Sequence, residues 1–191
     1  MNLDAESRGA LLGIARESIV HHLETGESPS PDLEALPPAV REPAACFVTL
    51  TREQRLRGCI GTLIAEDALA IAVARNAVGA AFGDYRFGPL RDFELEGLRI
   101  SISVLTEPEP MIVRDEVHLL ASLRPGQDGL ILEWHRHRAT FLPAVWESLA
   151  EPGEFLAHLK TKAGLPPDFW ADDLKFERYG TISFSDTDSN T

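Results

Sequence analysis

The chain has few cysteines and no apolar run long enough to cross a bilayer. Its only cysteines are Cys46 and Cys59, and no secretory h-region opens the chain, so we expect a soluble, cytoplasmic protein with reduced thiols. The longest apolar run covers residues 68–82 and is interrupted by Arg75 and Asn76, short of the ~20 residues that a transmembrane helix needs. These features argue against a disulfide-stapled secreted domain and against membrane insertion.

Basic residues are also scarce. The 191 residues include 18 lysines and arginines against 30 aspartates and glutamates, which gives a formal net charge of −12. A surface with this charge repels phosphate backbones, so we do not expect nucleic-acid binding, although residues 134–138 form one local basic run.

Recognisable metal and nucleotide motifs are missing as well. The sequence has no His-Glu-x-x-His or Cys-x-x-Cys motif, and its glycine spacing fits neither a P-loop nor a dinucleotide fingerprint. His135 and His137 share a predicted strand face, but one pair supplies only two of the three or four ligands of a usual zinc site. We therefore expect no metal and no cofactor.

The order of the predicted elements indicates an α+β fold, because helices and strands do not alternate regularly. We expect a mixed, mainly antiparallel sheet flanked by helices, in one domain over residues 1–191 with a frayed tail at 185–191. The predicted helices cover residues 4–24, 67–82, 115–123, 143–149 and 153–163. The predicted strands cover residues 45–51, 56–62, 98–106, a hairpin over 130–142, and 175–184.

The most informative segment is Leu56–Thr62, which places Cys59 between Gly58 and Gly61. Glycine allows close backbone approach or a positive φ beside the thiol. Arg57 projects from the same face of an extended strand as the thiol, and a fixed positive charge favours the nucleophilic thiolate. The alternative is that Cys59 is a small hydrophobic residue of the core.

Two further expectations concern the surroundings of Cys59. If Thr51 pairs with Leu56, Val48 lies opposite Cys59, and the two thiols are about 7 Å apart, too far for an unstrained disulfide. Because the 67–82 helix starts shortly after Gly61, the strand is also expected to run directly into the N-terminus of that helix, whose dipole would favour an anion there.

Two further segments contain candidate site residues. Asp84 and Arg86 follow the buried helix on a loop, where Asp84 can serve as a general base and Arg86 can hold an anionic ligand. The alternative is a structural ion pair that fixes the loop. Lys162 is a candidate ligand contact, although lysines in the last turn of a helix also stabilise its dipole without any further role.

These segments together resemble one family over nearly the whole chain. The matching segments are Phe47–Leu50, Leu56–Thr62, Asp84–Leu90, Ile102–Thr106, Asp128–Leu130, Phe141–Trp146 and Phe155–Leu165. The sequence is similar to the AMMECR-domain proteins, called AmmeMemoRadiSam system protein A in prokaryotes. It departs from them at Gln54, where a glycine is frequent, and at Asp128, where a histidine is frequent.

The resemblance implies an α+β fold with two lobes in one compact unit. It also implies a radical-SAM protein and a Memo-type protein as partners, but it implies no particular reaction. Two hypotheses are compatible with it. In the first, the chain is an enzyme component in which Cys59, activated as a thiolate by Arg57, attacks or carries a group, Asp84 moves a proton, and Arg86 holds an anionic substrate. In the second, the chain is a non-catalytic binding or adaptor module for a partner protein or small ligand, and Arg57, Asp84 and Arg86 are recognition groups.

Overall fold

The structure is a computed structural model that describes residues 2–187. Its helices are α1 (Ala5–Thr25), α2 (Leu69–Val78), α3 (Glu116–Ser122) and α4 (Pro152–Lys162). Its strands are β1 (Cys46–Arg52), β2 (Arg55–Gly61), β3 (Leu98–Leu105), β4 (Glu109–Met111), β5 (Gly129–Trp134), β6 (His137–Phe141), β7 (Lys175–Tyr179) and β8 (Thr181–Ser185). The predicted α+β class is confirmed.

Three predicted elements differ from those observed. The helix predicted over 67–82 is α2 followed by a π-helical turn at Gly79–Gly83. The helix predicted over 143–149 is a 3₁₀ turn, Pro143–Glu147. The single strand predicted over 175–184 is two strands, β7 and β8, and β8 ends at Ser185, the first residue of the tail predicted to fray. The rest of that predicted tail, from residue 188 onward, lies outside the described residues.

The strands form two four-stranded sheets with the orders β2-β1-β3-β8 and β4-β7-β5-β6. The chain divides into two compact units accordingly. Among the described residues, the first consists of residues 2–105 and 182–187, and the second of Thr106–Thr181. That the whole chain is a single domain stays a prediction.

The core of the first unit lies on one face of its sheet. Cys46, Val48 and Leu50 alternate inward along β1 and are fully buried. Helix α2 contacts both β1 and α1, and it is buried nearly all round because small alanines allow close packing on every side. Asp4 caps α1 by accepting a hydrogen bond from the Ser7 amide, which compensates one of the unpaired donors at the helix start.

The core of the second unit centres on aromatic rings. Phe155 stacks on Trp146 with ring centroids 3.9 Å apart, and the Trp146 indole donates to the backbone oxygen of Asp128. The Asp128 carboxylate is buried and accepts two hydrogen bonds from the Arg124 guanidinium and one from the Arg124 amide. Asp128 therefore fixes the turn before β5.

A bulge in the β1–β2 hairpin changes the register of β2. Thr51 pairs with Leu56 as predicted, but the next pair joins Leu50 to Gly58, so that Arg57 is the extra residue. Every pair beyond the bulge is shifted by one residue, and the side chains that follow exchange faces relative to the prediction.

Candidate functional site

Cys59 lies on the sheet face opposite the core. The prediction that Val48 lies opposite Cys59 is wrong, because the bulge makes Thr49 its partner and places Ile60 opposite Val48. The Thr49 hydroxyl donates to the Cys59 sulfur at 3.3 Å. Cys46, in contrast, is fully buried in the core, and burial raises the pKa of its thiol to about 11. The two thiols are free and project from opposite faces.

Gly58 permits β2 to lie against the C-terminal end of the helix that starts at α2. A Cβ at Gly58 would collide with the carbonyl oxygen of Ala80, and a Cβ at Gly79 would lie 3.1 Å from the Ile60 side chain. The prediction that β2 runs into the N-terminus of this helix is therefore wrong. Residues 62–68 first carry the chain away, so the helix end beside β2 has the negative end of the dipole.

Gly61 makes a second close approach. A Cβ there would lie 2.7 Å from the Cys46 carbonyl oxygen and would overlap the Phe47 ring, which packs across from it. Both glycines of the motif are thus required by packing, and neither has a positive φ.

The Arg57 guanidinium forms a bidentate ion pair with the Glu94 carboxylate. Its Nε donates to Oε1 at 2.6 Å and its Nη2 to Oε2 at 3.0 Å, and Nη2 also donates to the Gly88 carbonyl at 3.0 Å. These bonds hold the pKa of Glu94 at about 2. The sequence predicted that this guanidinium would lie near the Cys59 sulfur, but its hydrogen bonds go to Glu94 and Gly88. Its Nη1 is buried and has no partner among the described residues.

Asp84 closes the outer edge of β2. Its carboxylate is buried and accepts a hydrogen bond from the Cys59 amide at 2.9 Å. It also accepts two hydrogen bonds from the Arg86 guanidinium, from Nε at 2.9 Å and from Nη2 at 2.7 Å. The Arg86 hydrogen bonds hold the pKa of Asp84 well below its usual range, against the opposing effect of burial. A general base needs a pKa near the working pH. The observed geometry is that of an ion pair that fixes the loop.

The two guanidiniums flank one aromatic ring. The Phe87 ring centroid is 5.9 Å from Arg57 Cζ and 5.5 Å from Arg86 Cζ, within reach of cation–π attraction. Six of the predicted site residues therefore lie in β2 or beside it, and we call them the β2 cluster: Arg57, Gly58, Cys59, Gly61, Asp84 and Arg86. Glu94 was missed by the sequence analysis because it lies 37 positions from Arg57 and belongs to no recognisable motif.

Lys162 belongs to the second unit. Its Nζ donates to the Thr140 carbonyl at 3.0 Å and lies 5.1 Å from the Phe141 ring centroid. Lys160, two residues earlier, is fully buried and donates to the Glu116 carboxylate at 2.8 Å. Both ammonium groups thus have partners within their own unit. The predicted catalytic and ligand-binding roles of all these residues stay predictions.

Residues 2–187 contain neither a candidate membrane span nor a candidate metal cluster. No helix in this range is both long enough and apolar enough to cross a membrane. The same residues contain no group of three or more histidine, cysteine, aspartate or glutamate side chains placed to hold a metal ion.

Known proteins share this architecture. The chain is an α+β protein of two antiparallel sheets, and its fold is similar to the crystal structure of the uncharacterized protein PH0010 from Pyrococcus horikoshii. The TM-score is 0.78 at 35% identity, and the match covers 92% of this chain and 89% of that one. The AMMECR1 family model matches residues 12–184. The chain therefore belongs to the AMMECR1 family.

Two archaeal relatives cover most of the chain. Protein MK0488 of Methanopyrus kandleri is 37% identical in an alignment that covers 88% of this chain and 82% of that protein. A protein of Methanothermobacter thermautotrophicus is 39% identical in an alignment that covers 89% of this chain and 88% of that protein.

Proposed function

We propose that this chain is a protein-binding module whose contact surface surrounds β2. The observation that carries the proposal is the position of the exposed apolar side chains. Seven large apolar residues are exposed among residues 2–187, and five of them flank β2. We call these five the β2 rim: Leu56, Leu63, Ile64, Tyr85 and Phe93.

Each member of the β2 rim belongs to β2, follows its end, or is the sequence neighbour of a residue that forms a hydrogen bond with it. Leu56 belongs to β2, and Leu63 and Ile64 follow its end at Gly61. Tyr85 comes directly after the aspartate that accepts the Cys59 amide, and Phe93 comes directly before the glutamate that binds Arg57. Exposed apolar groups concentrated in one region are typical of protein-interaction sites, and aromatic residues dominate the binding energy of such sites.

The paired charges of the cluster favour binding of a protein over binding of a small anion. Arg57 is neutralised by Glu94, and Arg86 by Asp84, so an anionic ligand would have to compete with a carboxylate already in place. The same pairs hold the loop that presents Tyr85, whose side chain is 95% exposed. A fixed loop loses little conformational entropy when a partner binds.

The partners we propose are the radical-SAM and Memo-type proteins that the family resemblance implies. Arg55 is exposed next to Leu56, and Arg52 lies with its guanidinium 5.8 Å from the Phe93 ring centroid. Two arginines at the rim of a chain with a net charge of −12 favour a partner surface that has an apolar pocket and acidic residues around it.

Binding of the purified chain to each immobilised partner, followed by biolayer interferometry, tests the proposal. We expect Tyr85→Ala to weaken binding by about ten-fold or more, because exposed aromatic anchors contribute roughly 2 kcal/mol at interfaces. Ile112→Ala is the matched control, since Ile112 is 92% exposed but belongs to the second unit. It should bind like the wild type.

Cys59→Ala separates this function from the enzyme hypothesis. A binding module keeps its affinity without the thiol, because Cys59 is half-buried and its sulfur already accepts the Thr49 hydroxyl. Loss of binding in Cys59→Ala with full binding in Tyr85→Ala would contradict the proposal.

A further inference from the structure

A polar groove lies at the hairpin end of the first sheet, outside the β2 cluster. Its volume is about 600 Å³, within the range of small-ligand sites. Its walls include Thr51 and Arg52 of β1, Arg99 and Ser101 of β3, and the turn residues Glu53 and Glu96. We infer that this groove binds a small zwitterion, chemically a free amino acid or a short peptide with both termini charged.

The strand register separates the charges along the groove. Arg99 is paired with Thr51, and Ser101 lies two residues further along the same face of β3. Glu53 lies two residues beyond Thr51 in the opposite direction, in the turn that joins β1 to β2. One end of the groove therefore has Arg99 and hydroxyl groups, and the other end has the two carboxylates of Glu53 and Glu96 against the single arginine Arg52.

This separation selects the ligand class. A ligand carboxylate is held by the guanidinium and by hydroxyl donors, whereas a ligand ammonium is held by the carboxylates of Glu53 and Glu96. A phosphate dianion would meet these two carboxylates unfavourably. An uncharged apolar ligand would form no ion pair at either end. A zwitterion is complementary to both ends.

The backbone at the acidic end is strained. Glu53 and Gln54 have φ values of 51° and 62°, the left-handed conformation in which a side chain is disfavoured. Both residues line the groove. A glycine would adopt this turn without strain, so the two side chains are retained at a conformational cost of the kind that often marks a functional position.

A ¹H–¹⁵N NMR titration with triglycine tests the inference on the full chain. We expect chemical-shift changes at the amides of Thr51, Arg99 and Ser101. N-acetyl-triglycine lacks the ammonium and triglycinamide lacks the carboxylate, and each should bind about five-fold more weakly because one exposed ion pair is lost. Equal binding of either analogue, or no shifts with triglycine, would overturn the inference.

Variants that each remove one charge test where triglycine binds. Arg99→Gln should weaken triglycine about five-fold but leave triglycinamide unchanged, because only the former has the carboxylate that Arg99 holds. Glu53→Gln should show the reverse selectivity, weakening triglycinamide but not N-acetyl-triglycine. Arg114→Gln changes an exposed arginine of the second unit and should bind like the wild type. All three positions are exposed or at turns, so the fold is retained.

Discussion

Replacing Gly58 with alanine tests the packing of β2 most directly. The added Cβ would lie 3.0 Å from the carbonyl carbon of Ala80 and closer still to its oxygen. Both atoms belong to a helical backbone, so neither can rotate away as a side chain could. Overpacking a rigid core costs about 1–3 kcal/mol, and we expect the upper end, about 3 kcal/mol of unfolding free energy.

Urea unfolding followed by circular dichroism measures this loss. With a slope of about 2–3 kcal/mol per molar urea, the midpoint should fall by about 1 M. Gly9→Ala is the matched control, because Gly9 lies in α1 and a Cβ there meets no atom within 4 Å. That variant should instead gain up to about 1 kcal/mol from helix propensity. A Gly58→Ala protein with the wild-type midpoint would refute the close approach of β2 to the helix.

Two other predictions concern the thiols and the Arg57–Glu94 pair. Iodoacetamide should modify half-buried Cys59 in the folded protein but Cys46 only after unfolding, because Cys46 is fully buried and its thiol has a pKa of about 11. Mass spectrometry of the labelled peptides measures the modification of each cysteine. Equal labelling of the two cysteines in the folded protein would contradict this prediction. Glu94→Gln should lose about 3 kcal/mol of unfolding free energy at neutral pH, since the pKa of Glu94 falls from 4.5 to about 2 on folding. A carboxylate with a depressed pKa stabilises the fold above its unfolded pKa, so the difference from wild type should shrink as the pH falls from 4.5 towards 2. A difference that does not change with pH would show that the charge of Glu94 does not stabilise the fold.

Elements with a clear hydrophobic period could be predicted from the sequence. The alternation of Ile100, Ile102 and Val104 with serines predicted a half-buried strand, and β3 alternates in this way. The alanine-rich stretch predicted a buried helix because small side chains allow close packing all round, and α2 is buried on nearly every side. The hairpin around His135–His137 is also confirmed.

The candidate site could be predicted only in part. The motif glycines, Cys59, Asp84 and Arg86 could be selected from local composition, and the structure brings them together. The bulge at Arg57 could not be found, because a bulged and a regular hairpin have the same residues in the same order. The partner of Arg57 could not be found either, since a contact across 37 positions depends on the tertiary fold.

The covering of the β2 edge has a consequence for self-association. An edge strand normally exposes backbone groups with which the strand of another molecule can pair, and such pairing leads to aggregation. The Asp84 carboxylate accepts a hydrogen bond from the Cys59 amide, so this backbone donor is not free to pair with a strand of another molecule. At Cys59, the edge of β2 is thus closed to a growing fibril beside the exposed apolar side chains.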